Sequence, residues 1–202
     1  MPCSRGIPTP VLEALRRIEP GAEFVQTGHH VQSTASNRSY FAKFGTIHDV
    51  EHYMGEAESL RAMYAACPGI CPRVFECSVD PTSQKPLFIS EYKKIGSLNK
   101  NAAAVLGGML ADMHMKGQSS NGKFGFEVPT YCGATKMRNG WHSSWGETYD
   151  RKIADLLETL EKRGGYEDLC DLGKQVREKW VSCLVQLKPG HSRLFVEPFP
   201  DC

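Results

Sequence analysis

A lysine inside an apolar, strand-like run is the first residue of this chain whose surroundings call for chemistry. Lys43 stands in Tyr40-Phe41-Ala42-Lys43-Phe44, among residues that favour burial. An ammonium drawn out of water there needs a carboxylate to meet it. Glu56 follows in a stretch of helical period, beside Tyr53, Leu60 and Met63, with Glu58 as a close rival. A strand lysine held by a helix glutamate is an arrangement that can grip a nucleotide's phosphates. Further on, Phe88-Ile89-Ser90-Glu91-Tyr92 ends a strand-like run, and a connector at that point offers backbone N–H and C=O groups to an adenine edge. Each member has a plainer reading. Strand-edge lysines are mostly solvated, Glu56 suits a helix surface, and Glu91 suits the end of a hairpin. The order strand-lysine, helix-glutamate, hairpin, connector is more specific than any one of them.

The elements that must position these residues can be read from period and punctuation. Thr9-Pro10 opens a short amphipathic helix with Val11, Leu12, Leu15 and Ile18 on one side, and Pro20-Gly21 ends it. Phe24-Val25 and Tyr40 to Phe44 read as strands around a polar turn from His29 to Arg38. From Asp49, apolar residues at Val50, Tyr53, Met54, Ala57, Leu60, Met63 and Tyr64 mark a helix that Pro68-Gly69 stops. Arg73 to Val79 and Leu87 to Tyr92 flank the turn Asp80-Pro81-Thr82-Ser83 and predict a hairpin. Beyond Gly96 the expected pattern is helical: Ala102 to Met115, Tyr149 to Leu160, and Leu169 to Leu184, with a loop from Gly122 to Gly140. Strands first and helices second predict an α+β fold. Its boundary is expected near residue 95, with a second region over 96–187 and an unrelated tail over 188–202.

Composition narrows the classes. A formal net charge of +1 carries no signature of a nucleic-acid partner, and no apolar run reaches the length of a membrane span. The N-terminus runs into prolines rather than a secretory signal. Eight cysteines are scattered, and only Cys67-Pro-Gly-Ile-Cys71 with Cys77 forms a group. No second pair completes a zinc site, so reduced thiols in the cytoplasm and no metal ligands are expected.

Six stretches in order resemble the fructosamine kinase family, within the protein-kinase-like superfamily that includes aminoglycoside and choline kinases. They are Gln26-Thr27-Gly28-His29, Arg38 to Lys43, Met54 to Leu60, Phe88 to Tyr92, Leu106 to His114 and Lys123 to Glu127. Trp141 and Trp145 stand where the family's tryptophan-containing stretch follows its FGF segment. The resemblance runs from about residue 20 to about residue 185. It implies a protein-kinase-like architecture: a small antiparallel-sheet lobe with one helix, then an incomplete helical lobe. It also implies ATP with Mg2+ and phosphorylation of the sugar C3 hydroxyl of ketosamines, either free or as glycated lysines of proteins. By carry-over, Lys43 meets the α/β-phosphates, Glu56 orients it, and Ser90, Glu91 and Tyr92 meet the adenine.

The sequence departs from the family in two places. Its phosphate-covering loop has several glycines, whereas here His29 to Ser36 has none. No His-Gly-Asp-x-x-x-x-Asn loop or following Asp-Pro segment occurs in the 202 residues, so no residue takes a catalytic or metal-binding role. The tail reads as a premature end, and the chain by itself is expected to be inactive. Two other readings stand beside this one: a non-catalytic nucleotide-binding or regulatory fragment, and another small-molecule kinase of the same superfamily.

Overall fold

The computed structural model describes residues 6–184, so the tail read over 188–202 lies outside the described residues. The chain divides into two compact units, one ending at Leu110 and the next beginning at Ala111. The first extends beyond the boundary expected near residue 95, into a helix, α3, that spans Lys100–Lys116.

Helix α1 (Thr9–Ile18) opens the first unit, with Pro10 in its first turn. Val11, Ala14 and Leu15, spaced to share a face, are buried. Five strands follow: β1 (Phe24–Thr27), β2 (His30–Ser33), β3 (Ser39–Phe44), β4 (Val74–Val79) and β5 (Pro86–Glu91). They form one antiparallel sheet in the order β1-β2-β3-β5-β4. Helix α2 (Val50–Ala66) lies between β3 and β4 in sequence. It lies against β4 and β5, while α1 lies against β3 and β5.

Central strand β5 thus has a helix on each face. Leu87 and Ile89 join Val11, Leu15, Phe24, Val31 and Tyr40 in the core on the α1 side. Phe88, pointing the other way, meets Tyr53 of α2 with ring centroids 6.5 Å apart. Burial on both faces explains why β5 reads as a continuous apolar run rather than an alternating one.

Two features differ from the sequence reading. The polar stretch read as one turn, His29 to Arg38, contains strand β2, paired with β1 from Phe24↔Ser33 to Thr27↔His30. It buries Val31 and Ser33 alternately, and Ser33 is satisfied because its hydroxyl donates to Glu19 Oε1 at 3.0 Å. A buried serine with partners has no apolar signature in sequence. The expected single turn becomes two, Gly28-His29 before β2 and Thr34 to Arg38 after it, with Gly28 at φ +56° and Asn37 at φ +60°.

On β4 the register shifts between Val74 and Glu76. This bulge lets consecutive residues both meet partners on the α1 side. Phe75 packs edge-on against Tyr40 at 5.3 Å, and Glu76 accepts from Arg17 Nη2 at 2.5 Å.

The second unit holds the other difference. The expected loop from Gly122 to Gly140 carries four three-residue strands: β6 (Phe124–Phe126), β7 (Thr130–Cys132), β8 (Thr135–Met137) and β9 (Gly140–His142). They pair as β6 with β9 and β7 with β8. Strands this short show no period.

Helix α4 (Trp145–Arg163) starts at Ser144, whose Oγ accepts from the Glu147 N–H at 3.1 Å. Glu147 reaches back to the Ser143 N–H at 3.0 Å. Helix α5 (Glu167–Leu184) packs on α4, with Gly173 directly over Leu157: a Cβ there would lie 2.5 Å from Leu157 Cδ2.

Arg177 of α5 forks onto Asp150 of α4, Nε to Oδ1 at 2.6 Å and Nη2 to Oδ2 at 2.9 Å. These bonds hold the Asp150 carboxyl below the usual carboxylate range, against a smaller upward push from burial. A depressed folded-state value means stability that is present above the unfolded carboxylate range and lost as pH falls through the folded one. The pair is about one-third exposed, so Arg177→Ala is expected to lower stability by about 1 kcal/mol at neutral pH and by less in acid. All three tryptophans (141, 145 and 180) belong to the second unit, so urea unfolding followed by their fluorescence at the two pH values measures this.

Candidate functional site

Pairing of β3 with β5 places Lys43 opposite Phe88. Both side chains emerge on the face that α2 covers. The chain enters α2 through a short 3-10 turn, Ile47–Asp49, closed by a reciprocal capping box between Thr46 and Asp49. Hydrogen bonds from the Thr46 N–H and hydroxyl hold the Asp49 carboxyl below its ordinary range.

From that fixed start, Tyr53 and Glu56 fall one turn apart on α2 and point toward β3. The Lys43 ammonium donates to Glu56 Oε2 at 2.5 Å. Glu58, the rival acid, instead accepts from Arg61 on its own helix. The Lys43–Glu56 pair is partly buried, at 27% and 36% side-chain exposure, so neither side chain is sealed inside the fold.

Two aromatic rings complete the surroundings of Lys43. Its Nζ lies 4.4 Å from the Tyr53 ring centroid and 4.8 Å from that of Phe88. Burial, with help from the Asp49 and Glu56 charges, pushes the Tyr53 hydroxyl above its ordinary value. Burial does the same to the nearby Cys77 thiol, which lies 3.6 Å from Met54 Sδ and is a poor nucleophile in consequence.

Ser90, Glu91 and Tyr92 stand together at the end of β5, but much of their hydrogen-bonding capacity is internal. Ser90 is buried, and its hydroxyl leans on the Glu91 carbonyl at 3.4 Å. The Glu91 N–H donates to Arg73 O at 2.8 Å and the Tyr92 N–H to Ser39 O at 3.1 Å. Glu91 also pairs with Lys93 through Oε1 at 2.6 Å. Among the described residues, the Lys93 N–H is the first in this connector without a partner. The Tyr92 ring stacks on His30 of β2, with centroids 4.3 Å apart and planes inclined by 21°.

Sequence reasoning paired Lys43 with Glu56 and set Tyr53 beside Glu56, but missed the Tyr53 and Phe88 rings as neighbours of the ammonium, His30 as the partner of Tyr92, and the unpaired N–H of Lys93. The spacing of Tyr53 and Glu56 on one helix face was an available signal for the first. The strand register that sets Phe88 against Lys43 had none.

The model of the fructosamine kinase family matches residues 16–194 of the chain. That is most of its length, and it reaches past about residue 185, where the resemblance was expected to stop, into the stretch over 188–202 expected to be unrelated. No curated protein matches the sequence. Among solved structures, the fold is similar to the crystal structure of a candidate fructosamine-3-kinase from Haemophilus somnus 129PT, with a TM-score of 0.59 at 15% identity. The similarity covers 83% of this chain and 60% of that one, so the chain spans about three-fifths of that protein's length. At this identity the structural likeness speaks for the kinase-like fold, and the family follows from the sequence match across both units. The chain belongs to the fructosamine kinase family.

Proposed function

We propose that this chain carries the nucleotide-holding part of an ATP-dependent ketosamine 3-kinase. One observation carries the reading: Lys43 and Glu56, from different elements, meet at 2.5 Å in a pair that is only partly buried. An ammonium has three donors, and Glu56 engages one, aiming the others at the α- and β-phosphate oxygens. The Lys93 N–H, with the carbonyl groups of Glu91 and Tyr92, offers the connector's edge to adenine, and Tyr92 walls it.

ATP, when bound, supplies the phosphoryl group; the acceptor is the sugar C3 hydroxyl of a fructosamine or ribulosamine, free or on a glycated lysine. The described residues include no group of three or more His, Cys, Asp or Glu that could hold a metal, and no step through magnesium is assigned to them. The His-Gly-Asp-x-x-x-x-Asn motif, to which the family resemblance ties the base and metal carboxylates, does not occur in the 202 residues, so the task proposed for this chain is binding. A cytoplasmic setting accords with the free thiols Cys67, Cys71, Cys77, Cys132 and Cys170. No helix of the described residues is long and apolar enough to cross a membrane.

Calorimetric titration with ATP and with adenosine tests the reading. Lys43→Met is expected to weaken ATP about ten- to a hundredfold, the usual worth of hydrogen bonds to a charged group, and to leave adenosine unchanged. Absence of ATP binding by the unaltered chain, or equal affinity in the variant, overturns it. Incubation with a fructosamine and magnesium-ATP is expected to give no turnover.

A further inference from the structure

We propose that Tyr53 and Phe88 form an aromatic cradle that fixes the direction of the Lys43 ammonium, making Tyr53 a positioning residue of the site. The geometry is that of a three-walled box. Tyr53 comes from α2, one turn ahead of Glu56, so the ring and the carboxylate reach the ammonium from the same helix face. Phe88 is the cross-strand neighbour of Lys43. The two rings meet each other edge to face, at 6.5 Å and 79°, which leaves a face of each turned to the ammonium at 4.4 and 4.8 Å.

The physical consequence follows from what each wall does. A carboxylate attracts the ammonium but also takes one of its N–H bonds. Ring faces attract a cation through their quadrupole without consuming a donor in a strong directional bond. The cradle therefore narrows the swing of a long, flexible side chain and leaves the remaining N–H bonds for a ligand. Phe88 is 1% exposed and fixed in the sheet, so it is the immobile wall. Tyr53, half-buried, is the wall that substitution can remove without opening the core. Gly45 fits the same design: a Cβ there would press to 3.0 Å on Tyr53 Cζ, so the missing side chain gives the ring its place.

Only the last consequence, that the held ammonium faces phosphate, rests on the nucleotide reading; the cradle itself does not. NMR on the full chain with ¹³C-labelled lysine tests it directly. The Lys43 ε-methylene signal, assigned by its loss in Lys43→Arg, is expected to be shifted upfield by the ring currents. It should stay so in Tyr53→Phe and move toward the exposed lysines in Tyr53→Leu, which fills similar space without a ring. A Lys43 signal in the unaltered chain that coincides with the exposed lysines overturns the proposal, whether or not the leucine variant folds. So does a signal that is unmoved in Tyr53→Leu. ATP affinity is expected to fall about two- to fivefold in Tyr53→Leu and to be restored in Tyr53→Phe, with adenosine unaffected. If the upfield signal is present and ATP does not bind, the nucleotide reading falls and the cradle stands.

Discussion

Tyr40→Ala is expected to cost the first unit about 3–5 kcal/mol, the range for deleting a buried aromatic ring. Tyr40 is wholly buried on β3, edge-on to Phe24 at 6.2 Å and to Phe75 at 5.3 Å. Removing the ring leaves a void between α1 and the sheet that strands held on both sides cannot close. It also deprives Glu19 of a donor, because the Tyr40 hydroxyl gives its proton to Glu19 Oε2 at 2.8 Å.

The Tyr40→Phe variant separates the two effects. It keeps the packing and loses the hydrogen bond, and about 1–2 kcal/mol is expected. Burial pushes the Glu19 carboxyl up, but hydrogen bonds from Ser36, Tyr40 and Ser33 outweigh it and hold the group below its ordinary range. Its contribution is therefore present above the unfolded carboxylate range and disappears as pH falls through the folded one. The gap between the unaltered chain and Tyr40→Phe should narrow in acid. The first unit contains no tryptophan, so hydrogen exchange of the β3 and β5 amides is the measurement. Unchanged protection in Tyr40→Ala would contradict the account of the core.

Gly125→Ala is expected to abolish the pairing of β6 with β9. A Cβ at this position would lie 1.7 Å from the Gly140 carbonyl oxygen and 3.3 Å from Trp141 Cα. The obstacle is backbone, which cannot swing aside as a side-chain tip can. Gly125 also holds φ +135°, a conformation whose strain for other residues costs about 1–3 kcal/mol before any clash. Both terms add, and the ladder of three residues a side has little to oppose them. Trp141 stands opposite Gly125 in the register, and Trp145 packs on Phe124 at 6.2 Å. Their emission is expected to shift to the red in Gly125→Ala, with an earlier urea midpoint. Emission and midpoint like those of the unaltered chain would show that the strands part without consequence.

That glycine shows how a motif can be legible while its cause is not. Phe124-Gly125-Phe126 can be recognised in the sequence, yet nothing in the string tells that the glycine lets two backbones touch, because its contact, Gly140, is set by the fold. Period was enough for α1, α2, α4 and α5, whose apolar residues repeat over several turns. It was enough for β3 and for the β4–β5 hairpin, whose turn residues are explicit. It failed for β2, where a hydrogen-bonded serine occupies a buried position, and for the strands of the second unit, which are shorter than any period. At the site, the Lys43–Glu56 contact followed from the cost of an unpaired ammonium, a rule local to each residue. The aromatic walls around it depend on register, and register is a property of the pairing rather than of either strand.

The bulge on β4 has one more consequence, for the company the protein keeps. β4 and β1 are the two rims of the sheet, and a flat rim invites a second chain to add its own strand. On one rim the bulge breaks the regular spacing of outward amides, and the Arg17–Glu76 pair sets charge beside the break. The other rim, β1, is four residues long and bears the exposed Gln26, whose side-chain amide donates to the Gly28 carbonyl at 2.8 Å. Fibril-like stacking through this sheet thus finds one interrupted template and one that is too short.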